Sequence, residues 1–112
     1  MARLSLREKL LDAGFQTIWN SGYAAAGVRD IVAAADARPG SFTNHFASKE
    51  EFAGEVLERY FAYVSGLVEA ALARDGTPPT GRLRRYLDVI TSKLEAHDWA
   101  RGCMIGNLSL ET

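Results

Sequence analysis

Side chains that can recognise nucleic-acid bases cluster between residues 38 and 45. Arginine donates a fork of hydrogen bonds that matches guanine, asparagine pairs with adenine, and a serine or threonine hydroxyl bonds to a base or a phosphate. The polar, short or donor-bearing residues of this stretch are Arg38, Pro39, Ser41, Thr43, Asn44 and His45. A helix that presents them on one surface has the chemistry to read the DNA major groove.

A basic residue follows at the start of the next predicted helix. Ser48 and Glu51 have the spacing of a capping box, in which the two side chains satisfy free backbone donors at a helix start. Lys49 therefore lies in the first turn, where backbone N–H groups already favour an anion. We expect Lys49 to contact a DNA phosphate.

Apolar residues at three- and four-residue steps predict the helices that position these side chains. The predicted helices cover residues 5–21, 28–35, 38–45, 48–74 and 83–97, and a sixth begins at residue 104. Pro39 fits the first turn of the third helix, where its missing N–H has no partner to lose. The Gly- and Pro-rich residues 76–81 form a linker. No segment alternates like a strand, so the predicted fold is all-α.

Two short helices after a longer amphipathic one predict a tri-helical helix-turn-helix unit, whose second short helix enters the major groove. In that helix Ala37, Phe42 and Phe46 have the spacing to face the first two helices. We expect both phenylalanines in the core and the polar residues of the stretch on the outer surface.

The charge balance argues weakly against a nucleic-acid partner. The formal net charge is −1, whereas proteins that bind nucleic acid usually carry a basic surface. The distribution weakens this objection, because residues 1–49 hold six basic residues against four acidic ones. The basic excess therefore lies at the N-terminal end of the chain, and it is small.

Cysteine usage and hydropathy exclude several classes of protein. Cys103 is the only cysteine, so it cannot form an intrachain disulfide, and no Cys/His cluster has metal-ligand spacing. No apolar run approaches the roughly 18 residues of a membrane span, and the first residues lack a signal-peptide run. No catalytic motif has a recognisable spacing. We expect a cytoplasmic protein that is not an enzyme and has no cofactor, no metal and no membrane partner.

The motifs together resemble the TetR family of bacterial repressors from about residue 7 to residue 52. The matching segments are Leu10-Leu11-Asp12-Ala13, Gly22-Tyr23, Val28-Arg29-Asp30-Ile31 and Gly40-Ser41-Phe42-Thr43-Asn44-His45-Phe46-Ala47-Ser48-Lys49-Glu50. The last segment is specific, because a glycine, an apolar anchor, His-Phe and Ser-Lys-Glu occur in the family's order.

Three positions depart from the family's pattern. Thr43 replaces the usual tyrosine that grips the DNA backbone. Gly27 replaces the usual threonine at the start of the second helix and removes a side-chain cap. Asp36 replaces the usual turn glycine, which is sterically acceptable because Asp enters left-handed conformations more readily than most residues. We therefore expect an atypical grip on DNA.

The resemblance makes Arg29, on the second helix, a candidate groove contact. Its alternative role is a solvated partner of a neighbouring acid, and the residues alone do not choose between the two. For Arg38 and Asn44, the groove geometry of the fold favours DNA contact over an unspecialised exposed face.

The resemblance also implies the domain organisation. Residues 1–47 form the helix-turn-helix DNA-binding domain. Residues 48–112 form the start of a helical effector-binding and dimerisation domain, entered through the long helix. In the family this domain extends well beyond the available length, so we expect the chain to be truncated within it.

The segment of residues 101–111 resembles the Gly- and Cys-rich helix of a subgroup in which some members sense electrophiles or oxidants through cysteine. That resemblance makes Cys103 a candidate effector-sensing thiol and Arg101 a cation that lowers its pKa. A small buried apolar residue is the simpler interpretation of Cys103, and the one we favour, since free cysteine is often buried. Three aromatic residues are likewise either pocket lining or core: Tyr60, Tyr63 and Trp99.

The leading hypothesis is a ligand-responsive transcriptional repressor that binds a palindromic double-stranded DNA operator as a homodimer. A small-molecule effector, an electrophile or oxidant in the cysteine-sensing case, releases it. The alternative is a helical protein-interaction module of the same fold that has lost DNA binding. The acidic balance and Thr43 are the features that favour the alternative.

Overall fold

The computed structural model describes residues 4–111, and all regular secondary structure within that range is helical. In chain order the helices are α1 (Leu6–Ser21), α2 (Val28–Ala34), α3 (Ser41–His45), α4 (Lys49–Ala71), α5 (Pro79–Glu95) and α6 (Met104–Ser109). The prediction of an all-α fold is confirmed. Arg3, counted above with the N-terminal basic residues, lies outside the described range.

The first four helices share one core. Its largest fully buried side chains are Leu10, Leu11, Ile18, Ile31, Phe52, Val56 and Met104. Phe42 of α3 and Phe46, which directly follows α3, join this core as predicted, and their ring centres lie 5.0 Å and 4.7 Å from the ring centre of Phe52 on α4. Burying one such side chain stabilises a fold by roughly 1.5–3 kcal/mol. The two phenylalanines therefore fix α3 against α4.

Helices α1 and α4 pass each other at very short range. Gly14 is buried, and a Cβ atom added there would lie 2.2 Å from a ring carbon of Phe52. Ion pairs flank this contact: Arg7 of α1 donates two hydrogen bonds to the carboxylate of Glu55, and Arg59 of α4 bonds to Glu8 and Asp12. Because glycine has no side chain, Gly14 allows α1 and α4 to approach this closely.

The third helix begins later than its sequence predicts. Residues 38–40 form a turn, in which the N–H of Ser41 bonds to the carbonyl of Arg38 at 3.0 Å, and α3 starts only at Ser41. The preceding Asp36 takes the left-handed conformation expected of it, with φ 54°. Arg38 and Pro39 are consequently turn residues and not members of the reading helix.

Two other boundaries differ from prediction. Helix α4 begins after Ser48, whose hydroxyl accepts the N–H of Glu51 as the capping box requires, but ends at Ala71 and not near residue 74. Helix α5 starts at Pro79, inside the predicted linker, because proline is tolerated at the first helical position. Its residues Leu83 and Leu87 remain more than half exposed.

The chain returns to the core at α6. Met104, the first residue of that helix, is fully buried. Just before it, the indole Nε1 of Trp19 donates a hydrogen bond to the carbonyl of Gly102 at 3.0 Å. Helix α6 therefore packs on the same core as the three N-terminal helices.

No described helix is both long and apolar enough to cross a bilayer.

Candidate nucleic-acid interface and adjoining cavity

Helix α3 separates its apolar and polar residues as the sequence predicts. Phe42 and Phe46 are buried, whereas Thr43, Asn44 and His45 are exposed. The N–H of Phe46 bonds to the carbonyl of Phe42 and ends the helix. Three consecutive polar side chains therefore stand on the outer surface of a short helix whose inner face is fixed by aromatic packing.

Ser41 does not belong to that outer surface, and its predicted exposure is wrong. The residue is only 8% exposed, and its hydroxyl donates a hydrogen bond to the carbonyl of Arg38. The reason is the turn that precedes α3: Ser41 is the first helical residue, and its side chain folds back to stabilise that turn. Ser41 therefore stabilises the start of α3 and does not add to its exposed polar surface.

Arg38 and Pro39 are exposed in the turn at the start of α3. Arg29 is exposed on α2. Within residues 4–111 neither arginine forms an ion pair, so the neighbouring-acid role considered for Arg29 has no support. Both guanidinium groups are available to an external anion or base.

The departures from the family pattern have visible structural effects. The Thr43 hydroxyl donates to the carbonyl of Gly40 at 3.0 Å, so it is partly used within α3. Gly27 precedes α2 without any side-chain cap. The helix-turn-helix backbone is thus present, but two side chains of the family's pattern are missing. They are the tyrosine at position 43 and the capping threonine at position 27.

Lys49 lies in the first turn of α4 as predicted, but its ammonium group has an internal partner. Its Nζ donates to the carbonyl of Tyr23 at 2.7 Å and lies 4.3 Å from the centre of the Tyr23 ring. An ammonium carries three donors, so this bond leaves others for a phosphate.

Glu111, at the far end of the chain, holds the other side of Tyr23. Its carboxylate accepts the backbone N–H groups of Tyr23 at 2.7 Å and of Ala24 at 3.1 Å. These two bonds, with a smaller contribution from Lys49, lower the pKa of the Glu111 carboxyl. The segment after α6 is therefore attached to the loop between α1 and α2, beside the candidate DNA-binding surface.

A cavity of about 460 Å³ lies between α1, α4, α5 and the segment before α6. That volume falls within the ordinary range of ligand pockets. Tyr60 and Tyr63 line it, together with aliphatic side chains of α4 and α5, and Cys103 lies at its edge. Trp99, the third aromatic candidate, is 58% exposed and not part of the lining.

Cys103 is exposed, so the interpretation that we favoured from sequence, a small buried apolar residue, is wrong. Burial raises its pKa, but hydrogen bonds from the N–H of Gly106, the Tyr60 hydroxyl and the N–H of Ile105 outweigh it and lower the pKa overall. Helix α6 starts directly after Cys103, so the thiol lies beside the free N–H groups of the first turn of that helix.

Arg101 does not supply the cation predicted for Cys103. Its guanidinium carbon lies 3.6 Å from the centre of a Trp19 ring, and its Nη1 donates to Gln16 at 2.7 Å. Backbone N–H groups and a tyrosine hydroxyl, not an arginine, lower the pKa of the thiol.

Sequence reasoning missed two residues: Glu111 as a contact to the helix-turn-helix unit, and Arg101 as a buried cation. Both meet partners more than 80 positions away along the chain. No local spacing signals such a contact.

Comparison with known proteins gives consistent matches. The model of the family described as bacterial regulatory proteins, tetR family, matches residues 10–56. The chain is 40% identical to the HTH-type transcriptional repressor DhaR of Mycobacterium sp. (strain GP1), an alignment that covers 99% of this chain and 54% of DhaR. It is 32% identical to the transcriptional regulator AcuR of Cereibacter sphaeroides over 93% of this chain and 48% of AcuR.

The fold has a solved counterpart. The crystal structure of a regulatory protein TetR from Rhodobacter sphaeroides superposes with a TM-score of 0.87 at 32% sequence identity, covering 96% of this chain and 57% of that one. The chain thus spans about half the length of the curated relatives it matches.

Proposed function

Because the chain belongs to the TetR family of bacterial regulatory proteins, we propose that it is a transcriptional repressor that reads DNA with α3. The observation that carries the proposal is the division of α3 into a buried aromatic face and an exposed polar one, at the second short helix of a helix-turn-helix unit.

The side chains have separate roles in this proposal. Asn44 hydrogen-bonds to adenine, and Arg38 donates its fork to guanine from the turn before α3. Thr43 and His45 contact bases or sugar-phosphate at the rim of the groove. Arg29, free of internal ion pairs, reaches the same groove from α2. Pro39 packs against the DNA backbone and carries no base specificity.

Lys49 is the phosphate anchor in the proposal. Its bond to the Tyr23 carbonyl fixes the position of the ammonium, and two donors remain for a phosphate. A lysine contact to phosphate adds affinity without sequence preference. Ser41 has no DNA contact, because its hydroxyl is committed to the turn.

We further propose that the protein acts as a homodimer on a palindromic operator. A reading helix of five residues contacts few base pairs, and a single copy therefore has little specificity. Two copies related by a two-fold axis read two half-sites about one helical turn apart.

The test is an electrophoretic mobility shift with the DNA upstream of the gene, at fixed salt. The double variant Arg38→Ala/Asn44→Ala is expected to bind at least roughly tenfold more weakly, since each base contact contributes about 1–3 kcal/mol. Arg84→Ala, an exposed position on α5, is the matched control and should bind normally.

Two results contradict this proposal. Unchanged binding by the double variant removes α3 as the reader. No sequence-specific binding by the unaltered protein favours the alternative, a helical protein-interaction module of the same fold.

The assignment of different functions to the two parts of the chain is also a proposal. Residues 1–47 serve DNA binding, and residues 48–112 begin the part that binds an effector and dimerises. The cavity behind α1 is the effector site in this scheme, because its walls come from both parts. An effector that binds one conformation more tightly than the other releases the operator by shifting the population.

Cys103 is the proposed effector-sensing residue for an electrophile or oxidant. Its exposure, its place at the edge of the cavity and its lowered pKa support that role, since the thiolate is the nucleophile. The chain contains no other cysteine, so thiol reagents have a single target.

The sensor role predicts that N-ethylmaleimide releases the unaltered protein from its operator and leaves Cys103→Ser bound, while both bind DNA equally before treatment. The mobility shift that measures operator binding also measures release. Equal release of the two proteins by the reagent rules out Cys103 as the sensor.

A further inference from the structure

Arg101 is a buried cation with an incomplete set of partners. The residue is only 9% exposed. Its Nη1 bonds to the neutral amide oxygen of Gln16, and its guanidinium stacks on Trp19. Its Nε is buried without any hydrogen-bond partner among residues 4–111. The described chain therefore gives this charge no carboxylate.

Such an arrangement is costly for the unoccupied protein. A buried charge normally has an opposite charge and a full set of hydrogen bonds, and a buried donor left without a partner destabilises the fold. Burial lowers the pKa of Arg101, the direction expected for a cation without a counterion, although Tyr63 and Tyr60 oppose that shift. Arg101 is thus ready to accept a negative partner.

Arg101 is also part of the cavity lining, and the rest of the lining has a matching character. Lys93 and His97 are its other basic residues, whereas no Asp or Glu is among the residues that line it. The remaining walls are apolar or aromatic. Nη1 is occupied by Gln16, and the guanidinium group has further N–H donors of the kind that pair with a carboxylate.

We propose that this cavity binds a small organic anion whose carboxylate pairs with Arg101 and whose apolar or aromatic body lies between α4 and α5. The inference rests on the proposed function in one respect, because it names the chemical class of the effector for that site. Lys93, an exposed residue of the same lining, adds a second positive charge.

The test compares charged and neutral ligands of the same shape by isothermal titration calorimetry. The probes are phenylacetate against phenylacetamide and octanoate against octanamide. At least one carboxylate is expected to bind roughly tenfold more tightly than its amide, the effect of a charge-assisted pair in a water-poor site. Equal affinity within both pairs, or no binding by any probe at millimolar concentration, overturns the proposal.

Variants assign the preference to Arg101. Arg101→Gln should remove the preference for the carboxylate, and Arg84→Gln, at an exposed position on α5, should retain it. If circular dichroism shows that Arg101→Gln does not fold, Arg101→Lys decides, because lysine keeps the charge but loses the fork and should reduce the preference. An undiminished preference in the folded variant overturns the role of Arg101.

The result is separable from the fate of the proposed function, because no DNA enters the titration. Carboxylate preference without operator binding leaves the anion site in place and removes the repressor. Operator binding without carboxylate preference leaves the repressor and removes the anionic effector. Arg101 could already be paired with an acidic side chain from outside the described residues. The carboxylate and its amide would then bind with equal affinity, and that result also counts against the proposal.

Discussion

Tyr60 and Cys103 affect each other at the edge of the cavity. Burial raises the pKa of Tyr60 to about 12, and its interaction with the Cys103 sulfur adds to the rise, while the N–H of Met104 acts in the opposite sense. The same interaction lowers the pKa of Cys103. The neutral Tyr60 hydroxyl is therefore the form that the folded protein prefers, and it favours the thiolate of its neighbour.

This pair predicts an alkaline signature. Since the pKa of Tyr60 is raised on folding from about 10 to about 12, its contribution to stability is complete below pH 10 and is lost as the pH rises toward 12. Ultraviolet titration of tyrosinate should show one of the four tyrosines ionising late. Tyr60→Phe should lack the late step. Ionisation of all tyrosines near pH 10 in the folded protein contradicts this assignment.

Residue positions could be predicted where the cause is local. The burial of Phe42 and Phe46 follows from their spacing within one short helix, and the left-handed Asp36 follows from its side chain. The burial of Ser41 could not be predicted, because it depends on the residue at which α3 begins. Glu111 and Arg101 could not be predicted either, because their partners are distant in sequence.

At the scale of elements, the packing of α1 on α4 depends on Gly14. Gly14→Ala is expected to lower the free energy of unfolding by about 1–3 kcal/mol, because Phe52 is fully buried and cannot move aside without disturbing Phe42 and Phe46. Chemical denaturation measures this change.

Gly54 provides the control for that prediction. It lies within α4 with no atom within 4 Å of an added Cβ, so Gly54→Ala should raise the free energy of unfolding by about 0.5–1 kcal/mol through helix propensity. A Gly14→Ala protein as stable as the original would mean that the α1–α4 contact is not tight.

Helix positions could be predicted closely, and their ends less so. The capping box at Ser48 set one start correctly because its chemistry is local. The start of α3 differs because turn hydrogen bonds compete with the first helical turn at residues 38–40. The start of α5 differs because proline at the first helical position leaves no sequence signal that separates helix from linker.

At the scale of the whole molecule, direct contacts connect the candidate DNA-reading unit to the segment around α6 that borders the cavity. Trp19 of α1 bonds to the segment before α6, Met104 is in the common core, and Glu111 holds the loop between α1 and α2. The segment on either side of α6 is therefore in direct contact with α1 and with the loop that precedes α2. The cavity itself could not be predicted, because its walls come from four separate segments of the chain.

Hydroxyl-radical footprinting of the upstream DNA tests most directly whether two copies of α3 read an operator. We predict two protected patches related as an inverted repeat, with centres about 10 base pairs or a multiple of that apart. Both patches should disappear together in Arg38→Ala/Asn44→Ala at a concentration at which Arg84→Ala still protects. A single isolated patch, or protection that the double variant retains, would contradict DNA reading by a dimer through α3.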